Sequence, residues 1–274
     1  ISNPVTSWEE DFYCCDAADW SSTPGSLLLA ETAIVDPVMH YIEQTYVGAN
    51  CIYAADLDGD GDCDVVCGSE LQNRIDWWEN SDTQPGLFVS QNVIDPSVST
   101  PLSLFCIDLD EDGDIDVLGT SSSVVAWWEN DGTGSGWTQH TLASDLHDAD
   151  GIHAADVDGD GDLDISAAEI WSGGAFYWFE NTDGIGTTCS CHTVLGAFYI
   201  AESTYLEDID GDGDVDMLAG GGDGVYWFEN MDGLGTPPWT QHDVDPNVAL
   251  AVGLRAFDFD CDGDMDLSGA DYGH

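Results

Sequence analysis

The chain has 274 residues and 43% hydrophobic content, enough for the core of one large domain or two small ones. Two basic residues, Arg74 and Arg255, stand against 55 Asp and Glu, for a formal net charge of −53. That balance excludes nucleic acid as a partner and repels anionic membranes, because no cationic patch exists to release counterions. Apolar runs such as Leu27-Leu28-Leu29-Ala30 fall far short of the roughly 20 residues that span a bilayer, so no membrane insertion is expected.

The sequence begins at Ile1, as a processed mature chain or an incomplete one would. Residues 1–26 contain Trp8-Glu9-Glu10-Asp11 and the loop-like Asp16-Ala17-Ala18-Asp19, and read as an N-terminal extension or a decayed repeat. Leu28-Leu29-Ala30-Glu31-Thr32 then predicts a short strand, and Met39-His40-Tyr41-Ile42 a second.

From Asp56 onward one pattern recurs five times, at intervals of 52, 48, 52 and 50 residues. It places Asp at positions 1, 3, 5, 7 and 9 and Gly at position 6. The copies are Asp56, Asp58, Asp60, Asp62 and Asp64; Asp108, Asp110, Asp112, Asp114 and Asp116; Asp156, Asp158, Asp160, Asp162 and Asp164; Asp208, Asp210, Asp212, Asp214 and Asp216; and Asp258, Asp260, Asp262, Asp264 and Asp266. Two carboxylates about 4 Å apart repel by roughly 4 kcal/mol at an effective dielectric of about 20, so five within nine residues hold a loop open unless a cation neutralises them. Calcium fits best, taking six to eight oxygens in flexible geometry: side chains at 1, 3, 5 and 9, a carbonyl at 7, and Gly at 6 for the turn. About five ions are expected, one per loop. The loops are not EF-hands, because position 12 holds Cys67, Gly119, Ala167, Ala219 or Gly269 in place of a bidentate Glu. Short apolar runs flank the loop, such as Ile52-Tyr53-Ala54-Ala55 before it and Val65-Val66-Cys67-Gly68 after it, and they predict buried strands.

Two further markers keep step with the loops. An aromatic strand appears as Trp77-Trp78-Glu79-Asn80, Trp127-Trp128-Glu129-Asn130, Trp178-Phe179-Glu180-Asn181 and Trp227-Phe228-Glu229-Asn230. Sixteen residues before each loop stands His40, Asn92, His140, His192 or His242, with Ile, Leu or Val two positions on. Each repeat therefore reads as four strands separated by Gly-rich turns such as Asp131-Gly132-Thr133-Gly134. Both members of an aromatic pair are buried only if the sheet is covered on both faces. The expected fold is all-β, a β-propeller of four-stranded blades over residues 27–274. Five blades are the first expectation, with six or seven also open. The last blade stops short of its aromatic strand, and the N-terminal strands are expected to complete it, within one chain or, by strand addition, in the next copy of a homo-oligomer or filament.

The repeated His residues are expected to do the same structural work in each repeat. Trp137, Trp171 and Trp239, which lie in or beside turns, are better candidates for ligand contacts. His147 and His153 fall outside the outer-strand register. Nine cysteines leave at least one unpaired, and Cys14-Cys15 and Cys189 with Cys191 are the disulfide candidates, with partners open. A phosphate-cradling loop of the Walker type has no Lys to use.

Over residues 38–274 the repeats resemble the FG-GAP or VCBS repeats of the integrin α-subunit propeller and its bacterial and archaeal extracellular relatives. The resemblance rests on the five Asp loops, similar to the family's DxDxDGxxD calcium loop, and on the Trp-Glu-Asn strands of its microbial members. It implies one calcium per loop at positions 1, 3, 5, 7 and 9. Literal Phe-Gly and Gly-Ala-Pro pieces are absent, and integrin propellers have seven blades, so blade number is not carried over. The implied protein is extracellular, secreted or cell-surface: a calcium-stabilised module for adhesion or surface structure, with a glycan or a surface protein as partner. A lectin-like propeller and a polysaccharide-active lyase or hydrolase are the alternatives. No catalytic residue is assigned, and a non-enzyme is expected because the distinctive residues are repeated.

Overall fold

The computed structural model describes residues 27–31, 38–43, 45–80, 88–171 and 173–272. Every element among them is a strand. A hairpin of β1 (Leu27–Glu31) and β2 (Val38–Glu43) comes first. The first four-stranded sheet follows: β3 (Ala49–Ala55), β4 (Asp64–Ser69), β5 (Arg74–Asn80) and β6 (Phe88–Asp95). The second holds β7 (Pro101–Ile107), β8 (Asp116–Ser121), β9 (Val125–Asn130) and β10 (Trp137–Ala143), and the third β11 (Ala149–Ala155), β12 (Asp164–Glu169), β13 (Ala175–Asn181) and β14 (Cys189–Gly196). The fourth is β15 (Ala201–Glu207), β16 (Asp216–Gly221), β17 (Gly224–Glu229) and β18 (Thr240–Asp245). A two-stranded sheet of β19 (Ala251–Phe257) and β20 (Asp266–Asp271) ends the series.

Each four-stranded sheet is an antiparallel meander in sequence order, the form of a propeller blade. The second strand shows why the sheets stack face to face. All six residues of β4, β8, β12 and β16 are buried, which requires cover on both faces. The cover comes from the aromatic strands of neighbouring sheets. Trp77 and Trp128 share one cluster with Leu57, Val66, Val117 and Ala126, and Trp127 shares the next with Phe179, Leu118 and Ile165. Trp178 and Phe228 meet in a third.

The first strands lie side by side and carry one further ladder. Three residues before each Asp loop stands Tyr53, Phe105, His153, Tyr205 or Arg255. Their side chains meet in series: Tyr53 edge-on to Phe105 at 5.3 Å, Phe105 tilted against His153 at 4.5 Å, His153 tilted against Tyr205 at 4.1 Å, and the Arg255 guanidinium over Tyr205 at 5.2 Å. His153, outside the outer-strand register, is thus a member of the inner-strand one.

The expected N-terminal strands are β1 and β2. Among the described residues they form a sheet of their own, and no ladder joins them to β20, which pairs with β19. Ile42 packs with Tyr46 against Val65, Cys67 and Trp78 on the outer face of the first sheet. The readings of 1–26 as an extension or a decayed repeat lie outside the described residues.

Candidate metal centres of the aspartate loops

The register puts position 9 of each loop opposite the residue just before position 1, in the pairs Ala55 with Asp64, Ile107 with Asp116, Ala155 with Asp164, Glu207 with Asp216 and Phe257 with Asp266. Eight residues must therefore fold back within one hairpin. Positions 4 and 6 do this in the left-handed region: Gly61, Gly113, Gly161, Gly213 and Gly263 have φ between 95° and 103°, and position 4 holds Gly59, Glu111, Gly159, Gly211 or Cys261 with φ of 59° to 78°. The position 6 amide then donates to the position 1 carboxylate at 3.0–3.1 Å in all five loops.

This turn draws positions 1, 3 and 9 together. In the first four loops their carboxylate oxygens lie within 4.8 Å of one another: Asp56, Asp58 and Asp64; Asp108, Asp110 and Asp116; Asp156, Asp158 and Asp164; Asp208, Asp210 and Asp216. Position 9 is the buried member. Asp116 accepts hydrogen bonds from Leu109 N at 3.0 Å and Asn130 N at 2.9 Å, and Asp64, Asp164 and Asp216 are held in the same way. Burial pushes these four carboxyls up to about 7 against the lowering effect of the amides, and the carboxylates at positions 3 and 5 add to the rise. The position 3 carboxyls Asp58, Asp110, Asp158 and Asp210 are also raised, by desolvation and then by neighbouring carboxylates.

The remaining positions are equally ordered. Position 5 accepts from the amide of position 7 at 2.9–3.0 Å in all five loops. Position 7 side chains turn outward: Asp114, Asp162 and Asp214 lie against Gly132, Gly184 and Gly233 in the turns after the aromatic strands. The fifth loop keeps the amide bonds to Asp258 and Asp266, but its Asp266 is exposed where the other position 9 residues are buried.

A hard divalent cation fits this donor set, which is entirely oxygen. One Oδ1 of Asp56, Asp108 and Asp156 is buried without a hydrogen-bond partner, so each of those loops holds an acceptor that a cation would satisfy. Three carboxylates within 4.8 Å, one of them buried, otherwise repel by about 3–4 kcal/mol per pair at an effective dielectric of about 20.

The Glu of each Trp-Glu-Asn strand belongs to the same neighbourhood, although the sequence reading assigned it no role. Glu229 groups with Asp210 and Asp212, and Glu79, Glu129 and Glu180 face the position 3 carboxylates of their own loops. Its orientation comes from the outer strand. His140, His192 and His242 each place Nε2 2.7 Å from Glu129, Glu180 and Glu229 and stack on Trp127, Trp178 and Trp227 at 4.1–4.5 Å. In the first sheet Asn92 stands in place of His, and Ser90 donates to Glu79 at 2.8 Å. The repeated His residues thus brace the strand behind the loop. The side chain of His40 lies outside the described residues. Of the three Trp residues singled out in turns, Trp239 is buried and donates to Gly235 O, Trp137 is half-buried and donates to Gly134 O, and Trp171 is exposed. Cys189 and Cys191 carry free thiols, because both lie on β14 opposite Asn181 and Phe179, with no cysteine on the facing strand; Cys14 and Cys15 lie outside the described residues.

The FG-GAP-like repeat model matches residues 56–119, 108–167 and 208–267, each match running from one Asp loop into the strand that follows the next. No curated protein matches the chain in sequence. Among solved structures, an Agrocybe aegerita lectin described for specific recognition of non-reducing terminal N-acetylglucosamine aligns with a TM-score of 0.62 at 16% identity, over 90% of this chain and 75% of its own. The V. cholerae biofilm matrix protein Bap1 aligns with a TM-score of 0.50 at 17% identity, over 86% of this chain, which spans 35% of that protein's chain. At these identities the two structures speak for the fold. The family matches cover more than half of the sequence and begin on the Asp residues that build the triads, so the chain belongs to the FG-GAP-like repeat family.

Proposed function

We propose that this chain is a calcium-stabilised extracellular propeller that serves in adhesion or surface structure by recognising glycans, and that it is not an enzyme. The observation that carries the calcium part is the buried position 9 carboxylate beside two others in each of four loops. Calcium, when bound, supplies the positive charge that offsets their repulsion. The chain's own residues do the rest: the glycines set the turn, the amides fix positions 1 and 9, and the Trp-His-Glu stack stiffens the strand behind. Extracellular modules bind calcium at about 10⁻⁴–10⁻³ M, the range of external fluids, which supports placement outside the cell.

The glycan part is supported by the similarity to a lectin that recognises N-acetylglucosamine, and the surface part by the similarity to a biofilm matrix protein. Charge narrows it, since −53 disfavours acidic polysaccharides. Against catalysis stands the repetition of the carboxylate clusters, where a reaction needs an asymmetric constellation. Binding of the whole chain to an array of immobilised glycans, in millimolar calcium and in chelator, tests the reading. Calcium-dependent retention on neutral glycans is expected, and no retention on any glycan would overturn it.

A further inference from the structure

A cleft of about 570 Å³ opens between the third and fourth four-stranded sheets. Its walls are Ile170, Trp171 and Gly173, residues 197–200, and Asp223, all in connections at the end of the sheets opposite the Asp loops. It exists because the repeats differ here. The connection between second and third strands runs over 170–174 in the third sheet but only 70–73, 122–124 and 222–223 in the others. The long one carries Trp171, 60% exposed, and the short neighbour at 222–223 leaves it uncovered. Tyr199, 63% exposed, supplies a second aromatic wall.

Two carboxylates brace these walls, one through the Trp171 ring and one through the Tyr199 backbone. Asp148 Oδ2 accepts from Trp171 Nε1, and Asp223 Oδ2 accepts from the Tyr199 amide at 2.7 Å. Ala197, on the same rim, has a φ of 62°, a left-handed conformation that Ala rarely adopts.

We propose that this cleft binds a neutral pyranose at the end of a glycan. This deepens the glycan reading above and rests on it. Indole and phenol faces stack on the C–H face of a pyranose, and the Asp223 carboxylate accepts from its hydroxyls. The volume suits a small ligand. A chain of net charge −53, with Asp223 lining the cleft, selects against acidic sugars. Unlike the Asp loops, this constellation occurs in one place among the described residues, as specific recognition requires.

Calorimetry on the whole chain in millimolar calcium tests it, with N-acetylglucosamine, its β-linked dimer and galactose as neutral probes and glucuronic acid as the anionic one. Trp171→Ala and Tyr199→Ala, both at exposed positions, are compared with Leu71→Ala, 65% exposed on the equivalent connection of the first sheet. The expected result is binding of at least one neutral sugar, weakened tenfold or more by Trp171→Ala and by Tyr199→Ala and unchanged by Leu71→Ala. Wild-type binding that survives both cleft substitutions would overturn this cleft and leave the glycan reading standing. Absence of binding by every neutral probe, alongside retention on the glycan array, would also overturn the cleft. Glucuronic acid binding as tightly as the neutral sugars would overturn the assignment of ligand class.

Discussion

His153 and Asp116 show how the same burial acts in opposite directions on opposite charges. His153 is 9% exposed between Phe105 and Tyr205, and burial, helped by the Arg255 charge, holds its pKa down to about 3. Its folded value lies below the unfolded one near 6.5, so it is neutral when folded, and the stability it contributes is present above pH 6.5 and lost as pH falls towards 3. His153→Phe is therefore expected to flatten the fall in melting temperature between pH 6.5 and 4, and an unchanged slope would contradict the assignment. Asp116 is raised to about 7, the reverse sign, so with calcium removed its contribution is present below pH 4 and lost as pH rises through 7. Asp116→Ala removes an acceptor for two buried amides, each costing about 1–3 kcal/mol when left unsatisfied. Thermal unfolding in calcium should show a loss of that order, and calorimetric titration should show one calcium fewer.

The element that makes neighbouring sheets cohere is the aromatic strand with the Gly turn that follows it. Trp77 Nε1 donates to Gly134 O in the second sheet, and Trp127 Nε1 to Gly186 O in the third. Asn130 Nδ2 donates back to Leu57 O of the first Asp loop, as Asn230 does to Val157 O. The turn glycine has two reasons to be glycine: Gly134 has a φ of 63°, and a Cβ there would lie 2.5 Å from the Trp77 ring. Gly134→Ala should cost roughly 1–3 kcal/mol in chemical unfolding, whereas Gly196→Ala, where a Cβ meets nothing nearer than 3.9 Å, should stay within about 0.5 kcal/mol. Equal effects would contradict the docking role.

Much of this was legible in the sequence, because repetition turns weak local signals into a register: the Asp loops, the paired aromatics and the outer-strand His all fall on equivalent positions. The Glu beside the loop was legible too, had the Trp-Glu-Asn strand been read for charge as well as for rings. Position 4 was harder, since Glu111 and Cys261 conceal a backbone need that three glycines announce. The cleft at Trp171 was half legible. The residue stood out as unrepeated, but Tyr199 and Asp223 join it only through the packing of two sheets.

At the scale of the whole molecule, stability is a contest between stacked aromatic sheets and a charge of −53. In chelator, raising salt from about 0.1 to 1 M shortens the Debye length from about 10 to 3 Å and should raise the melting temperature. With calcium bound the same step should matter less, because the closest carboxylates are already neutralised. The most direct measurement of the central claim is thermal unfolding of the whole chain in 10 mM calcium and in chelator. Calcium at about 100 times its dissociation constant contributes about 2.7 kcal/mol per loop, so the four triads together are expected to shift the melting temperature by on the order of 20 °C. An identical melt in chelator would contradict the reading of the aspartate loops as metal centres on which this fold depends.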